Sequence, residues 1–216
     1  MNFRRIVKVS ICLAMLSVST GLWAQNESRW QNVDINQQNR EPRRASFFAY
    51  ESQDKAQGFD KKESANYLSM EGMWKFNFVK DHNKRPAKFF AVNYDDSKWK
   101  DFPVPGLFEL NGYGDATYKN VGYAWATQFD PNPPYISETN NYTGSYRRTF
   151  DLPTDWKGKD VYFHVGSATS NLTLWVNGKY VGYSEDSKVA AEFNISKYLK
   201  PGKNLIAMQV MRWCDG

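Results

Sequence analysis

The amino-acid sequence predicts an all-β protein built as a jelly-roll type of β-sandwich. Aromatic residues make up 16% of the 216 residues, and strands are enriched in aromatic side chains. Several segments alternate apolar and polar residues with the two-residue period of a strand. Two of these segments are joined by an Asn-Gly pair, a dipeptide typical of tight hairpins. Hardly any segment has a sustained helical period, so we expect little helix.

The alternating segments give the strand assignments. At 73–79, three aromatic residues alternate with polar ones, which is the period of a strand and not of a helix. His164 lies inside a similar run and is predicted to be a strand residue beside the core. Residues 192–199 fit either a short helical turn or the end of a strand, because Pro-Gly follows at 201–202. The predicted strands are 73–79, 146–150, 161–165 and 205–212.

The predicted hairpin covers residues 172–183, with Asn177 and Gly178 as its turn. Both turn residues tolerate a positive φ, as a type I′ turn requires. The pair formed by Trp175 and Tyr180 predicts an aromatic contact across the hairpin. With a two-residue turn, the opposite pairs should be Val176 with Lys179, Trp175 with Tyr180, and Leu174 with Val181.

The first 24 residues are predicted to be a secretory signal peptide. A basic start is followed at 9–22 by apolar or small residues, and this run is too short to span a bilayer. An N-terminal membrane anchor or a buried helix is the alternative. Residues 25–65 are polar, rich in amides and weakly periodic, so we expect an extended arm before a domain at 66–216. The expected location is the periplasm or the cell exterior.

Charge and cysteine content exclude several classes of function. The net charge is +5, and removing the three basic residues of the signal leaves only +2, which disfavours a nucleic-acid binder. Of the two cysteines, only Cys214 remains after the signal is removed, so no internal disulfide can form. His82 and His164 are the only histidines, which leaves little material for a His-based metal site or catalytic triad.

A series of short motifs follows in a distinctive order along the chain. The motifs are Asn39-Arg40, 68–76 (LSMEGMWKF), 94–99 (YDDSKW), Val104-Pro105, 112–114 (GYG), Tyr118-x-Asn120-x-x-Tyr123, 132–134 (NPP), 144–147 (GSYR), 174–178 (LWVNG), 182–187 (GYSEDS) and 212–216 (RWCDG). Together they resemble the N-terminal sugar-binding jelly roll of glycoside hydrolase family 2, in the form found in its large β-galactosidases. The resemblance covers residues 39–216 and implies a galactose-binding-like β-sandwich.

Two of these motifs imply site residues. In the family, the Asn of the NPP loop and the Asp of the R-W-x-D-G segment reach the active site. The resemblance therefore implies that Asn132 and Asp215 bind a β-galactoside, and that Asp215 also helps to hold a monovalent cation such as sodium. A short amide or carboxylate suits sugar hydroxyls, which both donate and accept hydrogen bonds. Outside the family context, Asn132 is an ordinary turn residue.

The resemblance also implies that the catalytic machinery lies in other domains. In the family, the jelly roll continues and is followed by immunoglobulin-like domains and a (β/α)8 barrel with two catalytic glutamates, and the full-length enzyme binds magnesium and is expected to be a homo-oligomer. Retaining hydrolysis needs two carboxylates about 5–5.5 Å apart. The adjacent pairs Glu185-Asp186 and Asp95-Asp96 should instead cap or solvate turns, because neighbouring strand residues point to opposite faces.

We therefore expect a C-terminally incomplete domain that is inactive alone and contributes galactoside contacts to a full-length β-galactosidase. The basis for incompleteness is the segment 205–212, which we expect to be a strand without its next neighbour. The alternative is a freestanding secreted carbohydrate-binding module, which would close its own sandwich.

Overall fold

A computed structural model describes residues 29–118, 132 and 135–216, so the predicted signal peptide lies outside the described residues. Within these ranges, nine strands form two antiparallel sheets, which confirms the predicted all-β sandwich. The strands are β1 (Gln37–Gln38), β2 (Gly72–Val79), β3 (Lys100–Val104), β4 (Thr143–Leu152), β5 (Tyr162–Val165), β6 (Asn171–Val176), β7 (Lys179–Glu185), β8 (Ala191–Asn194) and β9 (Gly202–Met211).

Helix is scarce in the described part of the chain, as predicted. Its one α-helix is α1 (Gln53–Gln57), a five-residue turn capped by the Ser52 side chain. Short 3₁₀ turns lie at Arg29–Gln31, Lys61–Glu63, His82–Lys84, Glu109–Asn111, Thr154–Trp156 and Ser196–Tyr198. None of the helices in the described ranges is long and apolar enough to cross a bilayer. The segment 192–199 contains both predicted alternatives, a strand end followed by a helical turn.

The large sheet has seven strands in the order β1-β7-β6-β9-β4-β2-β3, and β5 pairs with β8 in the second sheet. The expectation that residues 205–212 lack a neighbouring strand is wrong. Strand β9 pairs with β4 along its whole length and with β6 on its other side. Two strands that come earlier in the chain thus flank β9, β4 over its whole length and β6 over residues 206–211.

The predicted hairpin is present, but one of its pairs is shifted. Asn177 and Gly178 have φ values of 50° and 81°, and Trp175 lies opposite Tyr180, with ring centroids 6.4 Å apart. Val176 lies opposite Lys179 as predicted. Leu174, however, pairs with Gly182 and not with Val181. A β-bulge inserts Val181 as an extra residue in β7, and a two-residue turn alone does not reveal it.

The face of the seven-stranded sheet that packs against β5 and β8 is called the inner face, and it is apolar. Its alternating residues include Phe76 in β2 and Leu174 in β6, and Phe193 of β8 packs against them. The rings of Phe76 and Phe102 are 4.4 Å apart. Burying a side chain of this size stabilises the fold by about 1.5–3 kcal/mol. His164 of β5 is a strand residue, as predicted, and its half-exposed side chain contacts Glu192.

The opposite or outer face carries polar residues at the intervening positions. Strand register places one polar side chain from each of five strands in a single row across this face. The row consists of Asn77 (β2), Ser145 (β4), Gln209 (β9), Thr173 (β6) and Tyr183 (β7). Phe89 packs over Trp175 at one end of the outer face, and Trp30 packs over Tyr183 at the other.

The segment before the domain lies along the edge of the large sheet. Its strand β1 pairs with β7, and the Asn39 side chain donates to the backbone of Val181 at 2.8 Å. Arg40 donates to Ser184, and Arg43 forms an ion pair with Asp186. The first part of the predicted arm is therefore attached to the strand that carries the bulge.

Candidate functional site

Asp215 lies just after β9, in a segment that crosses the end of the outer face. The backbone N–H of Arg212 donates to the carbonyl of Tyr142 at 2.8 Å, and that of Asp215 donates to the carbonyl of Trp30 at 3.1 Å. The hydroxyl of Ser170 lies 3.1 Å from the thiol sulfur of Cys214. These contacts fix the backbone that leads to the Asp215 side chain.

Asn141 adds a two-point contact to this segment. Its side-chain amide donates to the carbonyl of Trp213, and its side-chain oxygen accepts from the N–H of the same residue, each at 3.1 Å. Asn141 is 0% exposed. Both backbone hydrogen-bonding groups of Trp213 are thus satisfied by one buried side chain.

Glu185 lies beside Asp215 because of the bulge in β7. With the regular register, Tyr183 and Glu185 would face the inner core, since a shift of one residue moves every side chain to the other face. With Val181 inserted, both face outward, and the Tyr183 hydroxyl donates to the Glu185 carboxyl. A Cβ atom on Gly216 would lie 2.2 Å from Oε2 of Glu185, so a larger residue at this position would displace the carboxyl.

The two carboxyl groups interact electrostatically, and the pKa of each is raised, which favours the neutral form. Burial raises the pKa of Glu185 to about 8, and the negative charge of Asp215 adds to the increase, whereas the hydrogen bond from Tyr183 opposes it. Burial also raises the pKa of Asp215.

Two polar side chains at this site lack protein partners. Neither carboxylate oxygen of Asp215 makes a well-formed hydrogen bond with the protein, and the same holds for both polar atoms of Asn171. Asn171 is 1% exposed and lies opposite Glu185 in β7 and Met211 in β9. Buried groups of this kind are costly unless something binds them. The arrangement therefore suits a ligand with donors or positive charge.

Asn132 lies in a tight turn in which the N–H of Tyr135 donates to its carbonyl at 2.8 Å. Its side chain is exposed, and the two prolines of its motif lie outside the described residues. Four positions later, Ile136 packs with Trp30 and Cys214 in one apolar cluster. The Asn132 and Asp215 segments therefore meet at this cluster. Among the described residues, no hydrogen bond joins Asn132 to Asp215.

The two adjacent acid pairs have structural contacts. Asp186 pairs with Arg43, and Asp96 accepts from the Arg147 guanidinium at 2.7 Å. Asp95 accepts from the backbone N–H of Ser97, and hydrogen bonds from that serine lower its pKa. These contacts are those of capping and pairing residues, whereas Glu185 is a buried strand residue and does not cap or solvate a turn as predicted.

The donor set fits one part of a cation site. The two free carboxylate oxygens of Asp215 are the hard donors that sodium or magnesium prefers. Within the described ranges, however, no cluster of three or more His, Cys, Asp or Glu residues is present. His82 is buried against Thr143 and His164 contacts Glu192. The described residues thus supply a ligand and not a complete coordination sphere.

Comparison with known protein families identifies the domain. The family model for the sugar binding domain of glycosyl hydrolases family 2 matches residues 67–216. The chain belongs to glycosyl hydrolase family 2. The match includes the segment that carries Asp215 and the whole hairpin, and it agrees with the resemblance inferred from the motifs.

Several β-galactosidases match most of the chain. The chain is 37% identical over 193 residues to the β-galactosidase of Priestia megaterium, covering 89% of this chain and 19% of that protein. It is 35% identical over 187 residues to the β-galactosidase of Psychromonas ingrahamii, covering 87% of this chain and 17% of that protein. The chain therefore spans less than a fifth of the length of these relatives.

Among solved structures, the β-glucuronidase of Ruminococcus gnavus matches 66% of this chain and 21% of its own, at a TM-score of 0.47 and 22% identity. This likeness is too low to support a further argument.

Proposed function

We propose that the chain is the N-terminal sugar-binding part of a β-galactosidase that hydrolyses terminal β-D-galactosides. The observation that carries the proposal is the Asp215 carboxylate, which is buried and anchored through its backbone, and whose oxygens make no well-formed hydrogen bond with the protein. The family membership and the β-galactosidase relatives support the choice of substrate.

In this proposal the chain binds the sugar but does not cleave it. Asp215 accepts hydrogen bonds from galactose hydroxyls, and Asn132 offers both a donor and an acceptor. The catalytic carboxylates come from the barrel domain of the parent enzyme, where binding energy from these contacts orients the galactoside. A monovalent cation, with Asp215 as one ligand, would supply positive charge to a sugar hydroxyl. Magnesium belongs only to the full-length enzyme in this proposal.

The proposal extends to location and assembly. Residues 1–24 have the pattern of a signal peptide, so the protein is exported to the periplasm or beyond. Its partners are then the immunoglobulin-like and barrel domains of the same enzyme, which assembles as a homo-oligomer.

A freestanding carbohydrate-binding module is the second candidate. One observation favours it, because β9 is paired on both sides and the large sheet needs no further strand next to it. Calorimetric titration of this chain with galactose separates the two candidates. Binding in the millimolar range or tighter by the chain alone favours the module, whereas undetectable binding favours the domain of a larger enzyme.

The main experiment measures kinetics on a chromogenic β-galactoside with the parent enzyme that contains this chain. Asp215→Ala should lower kcat/KM by about 10–100-fold and Asn132→Ala by less, because hydrogen bonds to charged groups are worth more than neutral ones. Asp101→Ala is the matched control, since Asp101 is an exposed strand carboxylate paired with Lys75. Parental kinetics in both site variants would show that these residues do not bind the sugar.

A further inference from the structure

We propose that Asn141 is a positioning residue for Asp215. Its side chain forms hydrogen bonds with both the N–H and the carbonyl of Trp213, and these bonds fix the position of the Asp215 carboxylate. The inference rests on the proposed function, because it concerns how the galactoside-binding carboxylate is held. Nothing in the resemblance or the relatives assigns a role to Asn141.

The strand register shows why a side chain is needed at this point. Strands β4 and β9 are paired up to Thr143 and Met211, and the N–H of Arg212 still reaches the carbonyl of Tyr142. At the next step the Asn141 side chain replaces the backbone of the neighbouring strand, donating to the Trp213 carbonyl and accepting from its N–H. The ladder thus ends on an amide that imitates a peptide group.

Asparagine suits this task for a chemical reason. Its carboxamide carries a donor and an acceptor side by side, whereas aspartate has nearly the same shape but only acceptors when ionised. At a 0% exposed position, an aspartate would place a carboxylate oxygen against the Trp213 carbonyl without a proton between them. Asn141→Asp therefore separates the effect of hydrogen bonding from that of volume.

Strand β9 offers a matched control at the end away from Asp215. Asn204 is 1% exposed, and its amide donates to the carbonyls of Lys200 and Gly202 at 2.8 and 2.7 Å. Its oxygen accepts from the N–H of Lys200 at 2.9 Å. Its oxygen also accepts from the Asn177 side chain at 2.7 Å. Asn204→Ala thus removes buried hydrogen bonds from the turn at the start of β9 and from the hairpin turn, and not from the segment of Asp215.

The first test uses this chain and needs no enzyme activity. In a Cys12→Ser background, the buried thiol of Cys214 reports the position of the segment between Trp213 and Asp215. Asn141→Ala and Asn141→Asp should each raise the rate of thiol labelling by about tenfold or more under native conditions, because a local anchor is lost. Asn204→Ala should leave the rate within about twofold of the parent, since any local opening occurs at the other end of β9.

The second test uses the parent enzyme with a β-galactoside. Asn141→Ala and Asn141→Asp should lower kcat/KM by about tenfold, with a fall in kcat that exceeds the rise in KM, because a displaced carboxylate loses contacts in the transition state. Asn204→Ala should keep the parental kinetics even if its unfolding midpoint falls equally. Parental kinetics and unchanged labelling in Asn141→Asp would overturn the inference.

The outcomes distinguish this inference from the proposed function. If Asp215→Ala loses activity while both Asn141 variants behave like the parent, the function stands and the positioning role fails. If Asp215→Ala keeps parental kinetics, the function fails, and with it the role of Asn141 in sugar binding. If the Asn141 variants do not fold, hydrogen exchange of the Trp213 N–H in the unmodified chain provides the test. Protection equal to that of the β9 amides supports a stable hydrogen bond to Asn141, and fast exchange refutes it.

Discussion

The two faces of the seven-stranded sheet are built from the same strands but differ in what they do. The inner face is apolar, and its aromatic rings interlock around Phe76. The outer face is polar, and its buried groups include the unpartnered Asn171 and Asp215. Apolar burial is the main source of stability, whereas uncompensated polar burial lowers it. The comparison indicates that one face holds the fold together and the other carries the site.

The bulge at Val181 connects the two faces. It reverses the alternation in the second half of β7, which brings Tyr183 and Glu185 to the outer face and leaves Val181 in the inner core. If the same sequence paired without a bulge, Leu174 would lie opposite Val181 and the Glu185 carboxyl would point into the aromatic core. The bulge thus determines on which face the acidic site forms in this sequence.

Deletion of Val181 is the sharpest way to break this comparison, and we expect the largest effect from it. The deletion leaves Gly182 opposite Leu174 and Glu185 on the outer face, but it removes the bulge, the buried Val181 side chain and the carbonyl that accepts from Asn39. Stability should therefore fall by more than about 4 kcal/mol, or folding should fail. Val181→Ala keeps the extra residue and should cost about 1–3 kcal/mol through a cavity alone. Urea unfolding followed by tryptophan fluorescence measures both, and equal losses would refute the role of the bulge.

Particular residues show how far sequence reasoning extends. Alternation located β2, and Asn177-Gly178 fixed the turn and the Trp175–Tyr180 pair, because these are local properties. The bulge was missed because it depends on how β7 packs between the arm and β8, where a Cβ on Gly182 would lie 2.6 Å from both the Gln38 carbonyl and Phe193. The position of β9 between β4 and β6 is also non-local.

The site was foreseen only in part. The resemblance pointed to Asp215 and Asn132, and their binding role stays a prediction. Glu185 and Asn141 were missed, because their relation to Asp215 depends on strand register and on contacts distant in sequence. Burial of the Asn141 amide against Trp213 is apparent only in the fold.

The inner face should dominate stability when single side chains are truncated. Phe76 is 2% exposed and touches several aromatic rings, so Phe76→Ala should lower the free energy of unfolding by about 3–5 kcal/mol. The neighbouring Lys75 points outward and forms an exposed pair with Asp101, so Lys75→Ala should cost less than about 1 kcal/mol. Urea midpoints of the two variants provide the measurement, and a loss below 1 kcal/mol for Phe76→Ala would contradict the division between faces.

The outer face should make stability depend on pH through His82. Burial, aided by the positive charge of Arg85, lowers the pKa of His82 to about 3 from its ordinary 6.5. Between pH 6.5 and 3, the His82 imidazole is therefore protonated in the unfolded chain but neutral in the folded one. The free energy of unfolding falls as the pH is lowered through this range, by up to about 1.4 kcal/mol per pH unit. His82→Gln should flatten that part of the profile. His164→Gln is the control, and identical slopes in all three proteins would rule the effect out.

The smallest effect on stability is expected where a buried polar side chain makes no hydrogen bond that a substitution could remove. Asn171 makes no hydrogen bond with the protein through either side-chain atom, and its side chain is nearly isosteric with leucine. Asn171→Leu should therefore leave the free energy of unfolding within about 1 kcal/mol of the parent or raise it, because replacing an unsatisfied polar group by an apolar one removes a desolvation cost. Asn141→Leu, which removes two hydrogen bonds to Trp213, should lose about 2–4 kcal/mol. Equal losses of unfolding free energy in the two variants, measured by thermal and urea unfolding, would mean that Asn171 is hydrogen-bonded as well as Asn141 is. The contrast between a structural face and a binding face would then fail at this position.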